Sequence, residues 1–420
     1  TNLAQQYGDI LQFPLLNRSV YFLNHPEYLK YMLQEHSQNY DRDMPLVSIA
    51  RLIVGNGLST NLDYEDWRRQ RRLLAPLFHK RSVAAFTSLM TSEVTAMLER
   101  WEGLAEEEKP LDIAHEMQEI TLQIVSKAIF EHDFTQQAEV FIQSFHEAHQ
   151  FLSDYLRLPF PPLSVPLPRH RRFRSAMQRL DTIVYDLIHL RREQKSQGND
   201  LLSMLLNAVD EETGKGMSDQ QIHDEVITFL SAGHETTANT LTWMWYLLAK
   251  NPEVEQRLYT ELDEILAGAS PTVEHLARLP YARMVVDESL RLYPAIWLLM
   301  RNALQDDTIG GYTIPAKTWI FFSPYLLHRN PAFWERPDTF APERFAPDRL
   351  AQIPRGSYLP FGYGPHQCIG QAFALHEMVL LLAMVAQRYH LSVVPGHQGE
   401  PLPLISLHMR GGLPMYVHRR

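Results

Sequence analysis

The sequence predicts a mainly α-helical protein with a smaller β part, and three observations support this class. Helical periodicity dominates the chain from Trp67 to about Val209. A long, mainly apolar helix is predicted to follow, starting at an S-x-x-Q capping box formed by Ser218 and Gln221 and persisting to about Lys250. Strand-like segments are confined to the chain ends and to the region of a Gly-Gly turn at 310–311.

The first elements are a small hairpin and a helix. Alternating residues in 9–13 and 19–23 predict two strands with a turn around Asn17-Arg18, and a helix is predicted from Pro26 to His36. Five prolines between Pro159 and Pro168 forbid a helix and predict a long loop. After the long helix, Asn251-Pro252 is predicted to cap and start the next one.

The C-terminal third is predicted to mix both types of element. Helices are expected at Tyr281–Leu292 and at about Gln371–Arg388, strands around Gly310-Gly311, and a final hairpin that carries Gly411-Gly412. We interpret residues 1–420 as a single domain. Its β-rich lobe comprises about 1–60, 295–325 and 390–420, and its helical lobe about 61–294 and 326–389.

Composition excludes several classes of protein. With 420 residues, 45% of them hydrophobic, the chain can bury a large core, and a net charge of −10 argues against nucleic acid as a partner. The longest apolar run, 378–386, is too short for a membrane span, which needs about 20 residues. The single cysteine allows no internal disulfide, so we expect a soluble cytoplasmic protein. The chain begins with Thr, which leaves an N-terminal anchor open.

That cysteine, Cys368, lies in a glycine-rich stretch before a predicted helix, with Gly362, Gly364 and Gly370 close by. Glycines let a backbone approach another group closely, and a helix N-terminus favours the thiolate by lowering the thiol pKa. A buried structural thiol, a protease nucleophile and a haem ligand all remain open at this point. A zinc finger is disfavoured because His366 is the only neighbouring ligand.

The pattern Phe361-x-x-Gly364-x-His366-x-Cys368-x-Gly370 resembles the haem-thiolate signature of the cytochrome P-450 monooxygenases. The resemblance implies haem b as cofactor, with the Cys368 thiolate as axial ligand of the iron. Many family members carry Arg where this chain has His366. A histidine can still reach a haem propionate.

The stretch AGHETT, residues 232–237, lies in the long helix. A zinc hydrolase motif would require a second histidine at Ala238, so zinc hydrolysis is excluded. The stretch is similar to the family's small-Gly-x-acid-Thr-Thr pattern. That resemblance implies that Ala232 contacts the haem, that Thr236 hydrogen-bonds dioxygen, and that Glu235 delivers protons.

Two further sets of residues match the family. Glu288-x-x-Arg291 and the later Arg344 resemble a buried network that braces the cysteine loop; taken alone, the first pair would be an ordinary helix-surface ion pair. Trp67-x-x-x-Arg71 and Arg301 match positions that, with His366, bind the haem propionates. The neighbouring residues Arg68, Arg69 and Arg72 are either solvated or a docking patch for an acidic redox partner.

The substrate pocket is assigned only by family position. It would include a loop at about Met44–Leu58 and the Pro-rich loop at 159–168. The individual residues are Phe229, Ala295, Ile296, Trp297, Leu298, Leu299, Ile405, Ser406 and Leu407. Their apolar character implies a hydrophobic substrate such as a fatty acid, a terpenoid or a similar lipid.

The function implied is haem-thiolate monooxygenation with dioxygen as co-substrate. Electrons would pass from NAD(P)H through a separate ferredoxin- or flavodoxin-type partner and its reductase to a monomeric enzyme. The Pro-rich loop is either a solvent-side lid, the favoured interpretation, or a segment that, with Arg169–Arg174, makes weak contact with a membrane surface. Two alternatives stay open: a haem-thiolate peroxygenase or isomerase, and a non-catalytic haem-binding sensor.

Overall fold

The computed structural model describes residues 8–15, 18–107, 109–157, 161–194, 200–208, 214 and 216–420. Most of the described chain is helical, as the sequence predicts. The helices are α1 (Pro26–Lys30), α2 (Pro45–Val54), α3 (Tyr64–Leu74), α4 (Lys80–Ala85), α5 (Thr87–Glu107), α6 (Ile113–Phe130), α7 (Ala138–Arg157), α8 (Pro168–Gln194), α9 (Leu201–Asn207), α10 (Asp219–Lys250), α11 (Pro252–Leu266), α12 (Val273–Leu276), α13 (Pro280–Leu292), α14 (Pro324–Leu327), α15 (Pro347–Leu350) and α16 (Gln371–Arg388).

The strands form small sheets. They are β1 (Ile10–Leu15), β2 (Arg18–Leu23), β3 (Tyr40–Asp41), β4 (Leu111–Asp112), β5 (Leu299–Ala303), β6 (Asp307–Ile309), β7 (Tyr312–Ile314), β8 (Trp319–Phe322), β9 (Tyr389–Val393), β10 (Pro401–Pro403), β11 (Leu407–Met409) and β12 (Pro414–Arg419). The largest sheet has the order β1-β2-β8-β5-β3, in which only the β2–β8 pair is parallel. The others are β4-β12-β9, β10-β11 and β6-β7. The lobe boundaries stay a prediction.

The predicted hairpin at Gly411-Gly412 is wrong. Strand β11, before the two glycines, pairs with β10, whereas strand β12, after them, pairs with β9 and β4. Both glycines have positive φ, and a Cβ at Gly412 would lie 2.5 Å from Asp112 Oδ2. This turn therefore passes the chain from one sheet to another, and the hairpin instead joins 401–403 to 407–409.

Other elements follow the sequence with local differences. The helix predicted from Pro26 to His36 begins as α1 and continues as a π-helical turn, Tyr31–Glu35. The two N-terminal strands pair as predicted, but Asn17 of their turn lies outside the described residues. Within the segment 44–58, predicted as a loop, residues Pro45–Val54 form helix α2, where proline occupies the first turn and fixes a helical φ.

Helix α10 begins as predicted and runs through the centre of the molecule. Ser218 Oγ accepts from Gln221 N, and the Gln221 side chain accepts from Ser218 N, which completes the capping box. Gly233 allows close packing on α6, since a Cβ there would lie 2.7 Å from Val125 Cγ2. Asn251 precedes α11, but its side chain donates to Leu247 O and does not cap that helix, contrary to the prediction.

The Pro-rich loop is described from residue 161 onward, and Pro159 and Phe160 lie outside the described residues. Residues 161–167 form only turns, bends and coil, whereas Pro168 is the first residue of α8, and Leu163 packs against the main core. Throughout the described ranges, no helix combines the length and the hydropathy that a membrane span requires.

Candidate active site

A cavity of about 400 Å³ separates helix α10 from the loop that carries Cys368. This volume lies within the range of small-molecule sites. Of the predicted cofactor and catalytic residues, nine line it: Trp67, Arg71, Ala232, Thr236, Arg301, Phe361, His366, Cys368 and Gly370. Residues separated by 300 positions in the sequence thus converge on one space.

At one position of the cysteine loop, Gly364, only glycine can adopt the backbone conformation and fit the space. Gly364 has a φ of +73°, and a Cβ there would lie 1.8 Å from Leu33 O. Gly364 therefore does not line the cavity but packs the loop on the π-helical turn 31–35. Cys368 N donates to Phe361 O over 2.8 Å, which closes the loop and leaves the thiol exposed to the cavity.

The pKa of the Cys368 thiol is raised, contrary to the sequence prediction. Burial raises it, while the Gly370 N–H and the charge of Arg71 act in the opposite direction without outweighing burial. The helix terminus alone therefore does not produce a thiolate. A cation at the sulfur would supply the missing stabilisation, as a metal ion does for a coordinating thiol.

One end of the cavity is basic. Arg71 donates to Gln367 O over 2.7 Å, and the Trp67 and His366 rings lie 4.0 Å apart between centroids. A third guanidinium, Arg42, joins Arg71 and Arg301 at the cavity wall and donates to Ser59 O and Asn61 O. Sequence reasoning missed Arg42, which lies in no recognised motif.

These cations lack an anionic partner in the cavity lining, whose described residues include no carboxylate. Burial and mutual repulsion lower the pKa of Arg42 and of Arg301 to about 10. The pKa of His366 falls to about 3 through burial and the neighbouring arginines, and its buried Nδ1 has no hydrogen-bond partner. An orphaned nitrogen and three guanidiniums with no carboxylate in the cavity lining fit a group bearing two carboxylates, such as the haem propionates.

On the opposite wall, helix α10 presents Ala232 and Thr236 to the cavity. Thr236 Oγ1 donates to Ala232 O over 2.7 Å, so its lone pairs remain available on the cavity side. Glu235 does not line the cavity. Its carboxylate oxygen lies 2.9 Å from His149 Nδ1 and 2.7 Å from His408 Nε2. Sequence reasoning missed both histidines. For His408 there was a signal, since Ser406 and His408 are two polar residues, two positions apart, in an otherwise apolar stretch at a strand.

The predicted substrate residues divide into two groups. Phe229, Ala295, Ile296 and Leu299 line the cavity. Five others do not: Trp297, Leu298, Ile405, Ser406 and Leu407. Three of these five make structural contacts, since Trp297 donates to Leu404 O, Ser406 accepts from Asn239, and the Leu407 N–H binds Ala295 O. These three support the wall instead of forming it.

The predicted brace is formed by Glu288, Arg291 and Arg344. Arg291 donates to both oxygens of Glu288 over 2.7 and 2.8 Å, and Arg344 Nε lies 3.3 Å from Glu288 Oε1. The side chains of Glu288 and Arg291 are 0% exposed. The same guanidinium of Arg291 also donates to the carbonyl oxygens of His328, Pro337 and Thr339.

His328, which sequence reasoning missed, connects the brace to the cysteine loop. Its Nδ1 donates to Arg291 O, and its Nε2 accepts from the N–H of Leu359. Burial and the nearby arginines lower its pKa to about 3, so the ring is neutral and can accept at Nε2. The hydrogen bonds of His328 therefore connect the network of Glu288, Arg291 and Arg344 to the cysteine loop.

Comparisons with known proteins agree with this geometry. The cytochrome P-450 family profile matches residues 1–410. Cyclooctatin synthase of Streptomyces melanosporofaciens is 39% identical over 406 residues, covering 96% of this chain and 87% of that protein. Cyclooctat-9-en-7-ol 5-monooxygenase of the same organism is 39% identical over 395 residues, covering 93% and 84%. Pentalenene oxygenase of Streptomyces avermitilis is 33% identical over 404 residues, covering 96% and 88%.

A solved structure of a known protein has the same fold as this chain. The cytochrome P450DA heme domain superposes with a TM-score of 0.90 at 28% identity, covering 100% of this chain and 92% of that one. The predicted fold class and family are thereby confirmed. The chain belongs to the cytochrome P-450 family and is a haem-thiolate monooxygenase, with haem b bound through a cysteine thiolate as its cofactor, dioxygen as its co-substrate, and electrons supplied by a redox partner.

Proposed function

We propose that this enzyme hydroxylates or epoxidises a cyclic terpenoid in the cavity between Cys368 and Thr236. The observation that carries the proposal is this cavity, which places the single thiol of the chain opposite a threonine across a mostly apolar space. The relatives named for cyclooctatin, cyclooctat-9-en-7-ol and pentalenene support a cyclic terpenoid.

Different residues at the cavity bind different parts of the cofactor. Cys368 would bind the haem iron through its thiolate, and the propionates would be held by Trp67, Arg71, Arg301 and His366, to which we add Arg42. Arginines suit this task because the guanidinium forms bidentate, charge-assisted hydrogen bonds with carboxylates. When bound, haem supplies the activation of dioxygen. The protein supplies the shape, the charges and the protons.

Proton delivery is assigned to Glu235 and Thr236. Each turnover takes up two electrons and two protons, inserts one oxygen atom into the substrate and releases the other as water. Thr236 Oγ1 faces the cavity and can accept a hydrogen bond there, whereas Glu235 lies one residue away on the buried side of α10. The carboxyl group is therefore a source of protons behind the cavity wall, and the hydroxyl group positions them within it.

The substrate is selected by apolar surface. Phe229, Ala295, Ile296 and Leu299 offer no hydrogen-bonding side chain, so affinity arises from buried area, at about 25 cal/mol per Å². The cationic groups of the described lining are gathered at the basic end and assigned to the propionates. A substrate without a carboxylate, such as a terpene hydrocarbon or alcohol, suits the remaining wall better than a free fatty acid.

The redox partner is proposed to be a ferredoxin or flavodoxin with its reductase, acting on a monomeric enzyme. Arg68 and Arg72 support this choice, since both are exposed and lie one helical turn apart on α3, beside the cysteine loop. Such a patch attracts an acidic protein at a rate that falls with ionic strength.

The test combines a spectrum with a coupling measurement. Reduced protein with carbon monoxide is expected to show a Soret band far to the red of histidine-ligated haem, and Cys368→Ala should lose it. With a ferredoxin system and cyclic terpenes, Thr236→Ala should release peroxide and lower product per electron pair, on the order of 10²-fold. Thr242→Ala is the matched control, because its hydroxyl also binds a carbonyl of α10 but lies outside the cavity.

Three results would overturn parts of this assignment. A histidine-type spectrum in intact protein would remove Cys368 as the ligand. Turnover with peroxide alone, and none with a reductase, would indicate a peroxygenase. Unchanged coupling in Thr236→Ala would remove Thr236 from the mechanism.

A further inference from the structure

The Glu235 carboxylate is contacted by histidines from two other elements. His149 on α7 and His408 on β11 both contact the same oxygen, Oε1, at 2.9 and 2.7 Å. The three side chains are only 8–10% exposed. The carboxylate is therefore held on the side of α10 that faces away from the cavity.

Two more histidines complete what we call the histidine cluster: His146, His149, His234 and His408. His146 lies one turn before His149 on α7, is exposed, and its ring centroid is 6.3 Å from that of His408. His234 is buried, and burial lowers its pKa to about 4. His234 therefore stays neutral near pH 7, whereas His146 gives the cluster an opening to solvent.

The structure contains an internal comparison for Glu235. Glu225, ten residues earlier on α10, is also buried but contacts no histidine; Leu58 N donates to it, and burial raises its pKa to about 7. Burial acts on Glu235 in the same direction, yet the charges of His149 and His408 and the hydrogen bond from His408 outweigh it and hold the pKa well below the usual value. The histidines thus decide the charge of this carboxyl group.

His408 is fixed in its position by its strand. Its Nε2 lies 3.0 Å from Ser406 Oγ, and Ser406 Oγ accepts from Asn239 Nδ2 on α10 over 3.0 Å. The neighbouring Leu407 binds α10 through Trp243 Nε1 and binds Ala295 through its N–H. The imidazole is therefore held against Glu235 from a rigid anchor.

We propose that His408 is a positioning residue that keeps Glu235 ionised between turnovers and hands it protons that enter at His146. The inference rests on the proposed role of Glu235 in proton delivery. During turnover the N–H of a protonated His408 passes its proton to Glu235 Oε1, and the carboxyl group then gives a proton toward the cavity and is ionised again. The neutral ring then regains a proton from the side of His146. Only protons move, and histidine is suited to this because it changes charge near neutral pH.

Three variants separate the two proposed roles of His408, which are to keep Glu235 ionised and to transfer protons to it. His408→Gln retains an N–H donor near the position of Nε2 but cannot titrate. His408→Leu removes the donor as well. His189→Gln, at an exposed position on α8, is the control for a histidine outside the cluster.

Coupling is measured against pH with the electron-transfer partner, and turnover is measured again with hydrogen peroxide, which brings its own protons. His408→Gln is expected to lose about tenfold in product per electron pair and to lose the parent's pH dependence, with peroxide-driven turnover unchanged. A purely structural role would lower both activities together. A His408→Gln protein with the parent's coupling and pH profile would overturn the proposal.

Infrared difference spectroscopy of the ligand-free protein gives a readout that does not require turnover. The parent spectrum minus that of Glu235→Gln is expected to show an ionised carboxylate at pH 7. The same subtraction in the His408→Leu background should show a protonated acid. An ionised Glu235 in that background would overturn the holding role of His408.

The outcomes distinguish this inference from the proposed function. A parent that shows no dioxygen-dependent turnover of any terpenoid contradicts the proposed function, and the infrared result still tests whether His408 sets the charge of Glu235. Loss of parent activity on chelation, with one zinc ion per chain, would assign His149, Glu235 and His408 to a metal and overturn the proton path.

Discussion

The brace and the histidine cluster are each built around one buried glutamate, but their partners differ in kind. Glu288 is held by Arg291 and Arg344, which keep their charge at every ordinary pH. Glu235 is held by His149 and His408, whose imidazoles belong to a residue type that can exchange protons. The molecule therefore places guanidiniums around the carboxylate beside the cysteine loop and imidazoles around the carboxylate for which we propose a proton path.

The largest expected effect comes from breaking the brace. Arg291→Ala leaves the Glu288 carboxylate without its main partner at 0% exposure, which should cost about 3–5 kcal/mol of unfolding free energy. Denaturant unfolding and haem incorporation measure this loss. Arg192→Ala is the control, because its pair with Asp219 is exposed and should cost less than about 1 kcal/mol. Equal effects of the two substitutions would show that the brace is not a special network.

The loop joined to the brace provides the next test. Gly364→Ala should cost about 3 kcal/mol, the upper end for a strained backbone, because the new Cβ would also collide with Leu33 O. Gly362→Ala is matched, since its φ is +74° but the nearest atom to its Cβ is 3.9 Å away, and about 1–2 kcal/mol is expected. Melting temperature and haem content are the measurements. Equal losses would mean that left-handed φ, and not the contact with Leu33, governs the loop.

Glu225 sharpens the comparison, since it shows the behaviour of a buried carboxyl group that contacts neither arginine nor histidine. Its pKa is raised from 4.5 to about 7, so between these values the folded protein keeps a proton that the unfolded chain releases. Stability therefore falls as pH rises through this window, by up to about 3 kcal/mol. Glu225→Gln should remove this loss while keeping an acceptor for Leu58.

The measurement for Glu225 is chemical unfolding between pH 4 and 8. The difference between variant and parent should be smallest near pH 4 and largest above pH 7. Glu253→Gln, at an exposed position on α11, serves as the control. A pH-independent difference would contradict a raised pKa at Glu225.

The smallest expected effect concerns a neutral contact on the side of the histidine cluster. Thr121 Oγ1 lies 3.1 Å from His234 O and links α6 to α10. Thr121→Val should cost about 1 kcal/mol, the usual value for one buried hydrogen bond. Thr95→Val, whose hydroxyl binds only its own helix, should cost less. If Thr121→Val cost more unfolding free energy than Arg291→Ala, the predicted ranking of the brace above the histidine cluster would be wrong.

The sequence was informative wherever a motif carried local chemistry. The capping box at Ser218 was recognisable because its spacing reflects one helical turn, and the cysteine loop and the Glu288-Arg291 pair were recognisable because they resemble family motifs. Contacts between separate elements of the fold could not be recognised from the sequence. Arg42, His149, His328 and His408 belong to no spaced pattern, and each reaches its partner only after distant elements have packed.

Two failures have the same origin. The turn at 411–412 has the composition of a hairpin, but pairing of β12 with β9 and β4 overrides that local preference. Cys368 lies in a loop that precedes a helix N-terminus, which should lower the pKa of the thiol, but burial dominates. Local patterns predict the elements, whereas strand partners and desolvation are properties of the assembled molecule.

The strand pairings also constrain when the protein can fold. Val20 of β2 pairs with Trp319 of β8, and Leu111 of β4 pairs with Met415 of β12, so both sheets close over about 300 residues of chain. Pairings this distant in sequence form slowly, because a long loop must be ordered first. During synthesis, β4 emerges about 300 residues before its partner strand β12. Its sheet therefore closes only after β12 has left the ribosome, and the contact of His408 with Glu235 likewise forms only after most of these residues have been made.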